Sequence, residues 1–207
     1  MRHFKMFGLV AVAAVAAMAF VGASSAMAES TVLCSTTENP CASHALTNTH
    51  VEGKTAVGAD TTLVAGSLTV LCTETGGVPA SIILGEVLTL AAPLIGHFSL
   101  IDFNNCKRGT EACEVNTIKL GLLELLRNGG DSGTAKSSGS EVLVKCGSFI
   151  HCVYGGTPSL TAAGGAPGTI TATNAVLTVV SGFFCPEESK WTATYTIALP
   201  NPVHIEK

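Results

Sequence analysis

The stretch WTATYTIAL, residues 191–199, alternates strictly: Trp191, Ala193, Tyr195 and Ile197 fall on one face of an extended chain, and Thr192, Thr194 and Thr196 on the other. Successive side chains of a β-strand point to opposite sides of the sheet, so this period of two predicts a strand with one buried face. The aromatic face belongs inside. Working outward, short runs rich in Val, Ile, Leu and Thr recur between clusters of Gly, Pro, Asn and Ser, the punctuation of strands and turns. Candidate strands are 31–34, 67–74, 81–90, 96–103, 141–146, 169–180 and 191–199. The predicted class is all-β, a sandwich or partly closed barrel of about eight strands.

Residues 115–127 fit two periods. Ile118, Leu122 and Leu126 recur at helical spacing, while Ile118, Leu120 and Leu122 alternate, and the strand reading is taken. NGGDSGTAKSSGS, residues 128–140, is polar and glycine-rich, and predicts a long hairpin loop. GGTPSLTAAGGAPG, residues 155–168, predicts a surface loop or a subdomain boundary.

The chain opens on basic MRHFK, continues with an uncharged apolar run over residues 6–21, and reaches the small-x-small site Ala26-Met27-Ala28. This is the layout of a secretory signal peptide over 1–28, followed by a single disulfide-rich β domain over 29–207. The expected location is secreted, outside the cell, with no transmembrane segment after cleavage, since no later apolar run reaches spanning length. Removing Arg2 and Lys5 with the signal leaves nine basic residues against fifteen acidic ones, a formal charge of −6. Nucleic acid is not an expected partner. A cell-envelope or extracellular surface component is.

All eight cysteines follow the cleavage site, and an even number in an exported chain argues for four disulfides. Spacing suggests three local pairs, Cys34–Cys41 in CSTTENPC, Cys106–Cys113 in CKRGTEAC and Cys146–Cys152 in CGSFIHC, which leaves Cys72–Cys185 over a long separation. The spacers of five and six residues suit neither tetrahedral zinc nor a C-x-x-C redox pair. With the strand cysteine and the late FFCPEESKWTATY, this order resembles uncharacterised Cys-rich secreted proteins of high-GC Gram-positive bacteria. The resemblance implies export and compactness, and transfers no functional residue.

Four groups are candidate sites. Gly130-Asp131-Ser132-Gly133 is similar to the nucleophile motif of chymotrypsin-like proteases, and His44, Asp102 and Ser132 would stand in that family's order. The following residue is Thr134 where the family has glycine, and the histidine lies in CASHAL, so a solvated hairpin tip is the competing reading. Asp102, Asn104, Asn105, Glu111 and Glu114 gather oxygen donors around one cysteine loop, the basis for a structural calcium against a plain solvated loop. Thr169, Thr171 and Thr173, with Thr192, Thr194 and Thr196, form two TxTxT ladders, read as good β-formers on a wet face rather than an ice-binding array.

Trp191 and Tyr195 could stack a sugar or an apolar ligand, against a core role. The other aromatics beyond the signal, Phe98, Phe103, Phe149, Tyr154, Phe183 and Phe184, are mostly expected inside. The sequence thus predicts an exported, non-enzymatic structural or binding module without a cofactor. A secreted serine hydrolase and a carrier of a small apolar ligand are the alternatives.

Overall fold

The computed structural model describes residues 31–37, 41, 46–89 and 93–206. The expected signal segment, residues 1–28, and His44 lie outside the described residues. Those described form sixteen strands and no helix. The fold is organised by one long hairpin, β14 (Thr169–Gly182) and β15 (Glu188–Leu199), which is shared by two closed circuits of antiparallel ladders.

The first ring passes from the near half of that hairpin through β2 (His50–Thr55), β5 (Ser81–Val87), β6 (Leu94–Phe103), β9 (Leu122–Arg127), β10 (Ser132–Ser138) and β13 (Ser159–Ala163), and returns to β14. The second passes from the far half through β3 (Thr61–Ala65), β4 (Leu68–Cys72), β7 (Cys106–Arg108), β8 (Glu111–Lys119), β11 (Glu141–Cys146) and β12 (Ile150–Gly155). Each ring contains eight strands. A further bridge between Asp102 of β6 and Asn116 of β8 ties the rings on the side away from the hairpin. The count of about eight strands is therefore corrected to sixteen among the described residues, because the alternation cannot reveal that one hairpin serves two rings.

The shared hairpin serves both rings through a slip in its alternation. Ala172 is buried in the first ring, and Ala175 and Leu177 farther along, so the inward positions change parity at Asn174. A bulge sits there, with Asn174 in the left-handed region (φ 49°) and its N–H donating to Thr192 Oγ1 at 3.1 Å. Each ring keeps its own apolar interior. Val70, Val115, Val144, Tyr154 and Leu177 fill the second; Leu94, Leu125, Ala135, Leu160 and Ala172, with Ile83, Phe98 and Tyr195, fill the first. Trp191 packs against all of these clusters from the hairpin between them.

A two-stranded sheet of β1 (Val32–Cys34) and β16 (His204–Glu206) lies against the first ring. It is held by Asp131, whose carboxylate accepts the Ile205 N–H at 2.7 Å and pairs with His204, and by Arg127, whose Nε donates to the Ile205 carbonyl. The segments expected as loops, 128–140 and 155–168, contain β10 and β13 and close the ring. Their small residues are required there. A Cβ on Gly133 would stand 2.8 Å from the Leu126 carbonyl and 2.9 Å from Leu125 Cδ1. Residues 115–127 are extended, as the alternation suggested, and are divided into β8 and β9 at Gly121. A Cβ on Gly121 would come within 2.1 Å of the Ser138 carbonyl oxygen.

Candidate functional site

The disulfides place the cysteines in a row. Cys72 of β4 faces Cys106 of β7, and Cys113 of β8 faces Cys146 of β11. Lys107 faces Ala112 and Arg108 faces Glu111, a register that continues to set Cys106 beside Cys113. Four cysteines thus stand abreast on four adjacent strands. The bonds formed are Cys72–Cys106, Cys113–Cys146 and Cys152–Cys185, with Cys34–Cys41 near the amino-terminal strand.

This corrects the expected Cys106–Cys113, Cys146–Cys152 and Cys72–Cys185 pairs. In the row, a Cys106–Cys113 bond would strand Cys72 and Cys146 at its two ends, whereas the observed pairing leaves no cysteine free. Spacing identified neighbours but not partners. Three bonds therefore staple β4 to β7, β8 to β11, and β12 to the turn after β14, all in the second ring.

Directly beyond these bonds lies one end of that ring, formed by four turns. Gly66-Ser67 joins β3 to β4, Gly109-Thr110 joins β7 to β8, Gly147-Ser148-Phe149 joins β11 to β12, and residues 183–187 join β14 to β15. The turns touch: a Cβ on Gly147 would meet Glu111 Oε1, and one on Gly66 would lie 3.4 Å from Pro186 Cγ. Three phenylalanines project from this end. Phe149, Phe183 and Phe184 have relative exposures of 92 %, 85 % and 104 %.

The β12–β14 ladder ends with Cys152 opposite Gly182, and Phe183 and Phe184 follow directly in the turn. Gly182 holds φ +127°, and a Cβ there would sit 2.4 Å from the His151 carbonyl and 2.5 Å from Cys185 Sγ. Phe184 itself adopts φ +58°, a region that bulky residues rarely enter and that neighbouring structure must enforce. The aromatics expected inside are here outside. The signal that could have located them is the setting of Phe183-Phe184 between a glycine and Cys185-Pro186, where a turn rather than a buried strand is favoured.

The other candidates are dispersed. Ser132 Oγ donates to the Gly129 carbonyl at 2.7 Å and closes a turn, and the acid beside it clamps β16. Asp102 lies past the opposite end of β9, on the order of 30 Å away along the strands. Of the calcium candidates, Asn104 Nδ2 donates to the Pro79 carbonyl, Glu111 faces Arg108 at 3.6 Å and Glu114 faces Lys145 at 3.7 Å. Among the described residues no three acidic, histidine or cysteine side chains gather as a metal cluster.

Thr171 and Thr194 are cross-strand partners, with 3.3 Å between their hydroxyls, and Thr134 and Thr161 extend the row. Four of a ring's eight strands wrap around much of its circumference, so these threonines do not form a flat array.

Trp191 and Tyr195 meet edge to face, with ring centroids 6.0 Å apart, inside the molecule. This corrects the stacking-platform reading, because Tyr195 is fully buried. Its hydroxyl accepts from Ser81 Oγ at 2.9 Å, and Ser81 Oγ is also bonded to Thr61 Oγ1 at 2.8 Å. Burial pushes the Tyr195 phenol far up from its ordinary value, with the Ser81 bond pulling the other way; burial also raises Tyr154.

Two small apolar cavities adjoin this region. One of about 80 Å³ lies in the first ring beneath Leu33, Val203 and Ile205. The other, about 50 Å³, is lined by Tyr154, Leu177, Trp191 and Tyr195 where the rings meet. Tyr154 Oη and Trp191 Nε1 are buried without a hydrogen-bond partner.

No helix among the described residues is long and apolar enough to cross a membrane. Four disulfides are typical of proteins in oxidising, extracellular surroundings. No family model, curated protein or solved structure matches the chain.

Proposed function

We propose that this chain is an exported, non-enzymatic binding module that docks on a cell-envelope or extracellular surface through Phe149, Phe183 and Phe184. In this reading residues 1–28 are a cleaved signal, and the two rings are fused eight-strand barrels that act as a rigid mount. One observation carries the proposal: three apolar rings stand in solvent on turns fixed by cross-strand disulfides. Exposing large apolar groups is unfavourable for an isolated domain, and a cluster of them marks an interaction surface. Preformed turns add to affinity because little ordering remains to be done on binding.

The test is co-sedimentation of the oxidised protein with envelope fragments. The wild type is expected in the pellet and the Phe149→Ser/Phe183→Ser/Phe184→Ser variant in the supernatant. Equal sedimentation of the two would end the reading.

A further inference from the structure

We infer that the surface engaged by Phe149, Phe183 and Phe184 is the apolar layer of an electrically neutral lipid surface; this rests on the docking reading above and names its partner. Three features of the end point to lipid.

The first is shape. At exposures of 85 % or more the rings stand in solvent as knobs without walls of their own. A protein partner would have to offer three matching pockets, whereas acyl chains close around any convex apolar group.

The second is chemistry. Phenylalanine has no polar tip, unlike the tryptophan and tyrosine that stack on sugars while bonding their hydroxyls. Wholly apolar groups gain most by leaving water for hydrocarbon.

The third is charge. Around this end Lys107, Arg108, Lys145 and Lys190 stand against Glu111, Glu114, Glu187 and Glu188, four of each sign. Arg108–Glu111 and Lys145–Glu114 are already paired. The chain beyond the signal is acidic as a whole, yet this end is balanced, and an anionic surface would find no basic patch to hold it. Neutral headgroups fit. The disulfides immediately behind keep the turns from folding the rings back, so insertion is shallow and the fold stays intact.

The experiment is vesicle co-flotation of the oxidised, full-length exported protein, with phosphatidylcholine vesicles as the neutral surface, phosphatidylglycerol vesicles as the anionic one, and delipidated wall fragments as the lipid-free envelope material. Binding to phosphatidylcholine is expected, unchanged between 0.1 and about 0.5 M salt, because no long-range attraction contributes for salt to screen. Each Phe→Ser substitution is expected to weaken it roughly tenfold or more, and each Phe→Leu to retain most of it. All variants should keep the wild-type thermal midpoint, since the rings contact solvent.

Flotation that survives the triple serine variant would overturn the inference, as would binding to phosphatidylglycerol alone that salt removes. Phenylalanine-dependent binding to delipidated wall with none to either vesicle would overturn the lipid assignment and leave the docking reading standing. Binding to none of the three would end both.

Discussion

At the scale of single residues, conformation is decided by what the space around a Cβ permits and by what happens to each buried hydroxyl. Gly121 separates β8 from β9 because the backbone at Ser138 and Ser140 occupies the place of a side chain. Backbone cannot move aside as a rotamer can. Gly121→Ala is therefore expected to destabilise by about 2 kcal/mol or more, at the upper end of overpacking costs, read as a lowered urea midpoint at unchanged slope. A wild-type midpoint would show that the close approach is not needed.

Tyr195 offers a pH test. Its phenol ionises near pH 10 when unfolded and well above that in the fold, so the protonated form is the one the native state favours. Its contribution is complete below about pH 10 and is lost as pH rises toward the folded value, at up to about 1.4 kcal/mol per pH unit. Wild-type stability should fall across pH 10–12, whereas Tyr195→Phe, weaker by about 1 kcal/mol at pH 7 for want of the Ser81 bond, should fall less steeply. Parallel curves would refute this linkage.

Elements show why some of the fold was readable and some was not. The strand containing Trp191–Tyr195 announces itself because large apolar residues alternate with polar ones, and the one containing Val142-Leu143-Val144 because a short β-branched apolar run is bounded by charges. In β10, SGTAKSS, the inward residues are Gly133, Ala135 and Ser137, and at Gly133 the Leu126 carbonyl and Leu125 Cδ1 already occupy the place of a side chain. A strand whose inward face is small looks like filler. The aromatic end was hidden for the opposite reason: Phe149, Phe183 and Phe184 are apolar, and apolar residues are ordinarily buried, so only their turn setting marked them.

The cysteine row has a similar lesson, since sequence spacing measures distance along the chain while the bonds follow register across strands. The observed loops enclose 33 or 34 residues in the second ring but 7 for Cys34–Cys41. On the loop-entropy account the long loops contribute about 4 kcal/mol each and the short one about 2.4. Replacing both Cys113 and Cys146 by Ala should thus cost more than the same change at Cys34 and Cys41, measured by guanidinium unfolding. Equal losses would argue that the row is not paired as described, a conclusion non-reducing peptide mapping would settle directly.

For the whole molecule, the distribution of cross-links matters more than their number. The second ring contains three disulfides across its own strands, while β2, β5, β6, β9, β10 and β13 of the first contain no cysteine. Both rings nevertheless share β14 and β15, and Trp191 packs into each. The loops closed by Cys72–Cys106, Cys113–Cys146 and Cys152–Cys185 enclose β5, β6, β9, β10 and β13 along the chain, but while the second ring stays folded it holds the ends of those loops anyway. The cross-links therefore resist separation of the strands they staple and not opening of the first ring, where partial opening should begin. Native-state hydrogen exchange under oxidising conditions is expected to show lower opening free energies for amides of β5, β9 and β10 than for those of β8, β11 and β12. Mild reduction should narrow the difference by depressing the second ring toward the first. If protection were uniform before reduction, the two rings would open as one unit through their common hairpin, and the disulfides would set the stability of the entire fold rather than the rigidity of one end. For the docking function proposed above, the predicted asymmetry has a consequence: the aromatic turns are mounted on the half of the molecule that opens last, so that end keeps its shape even when the opposite ring fluctuates.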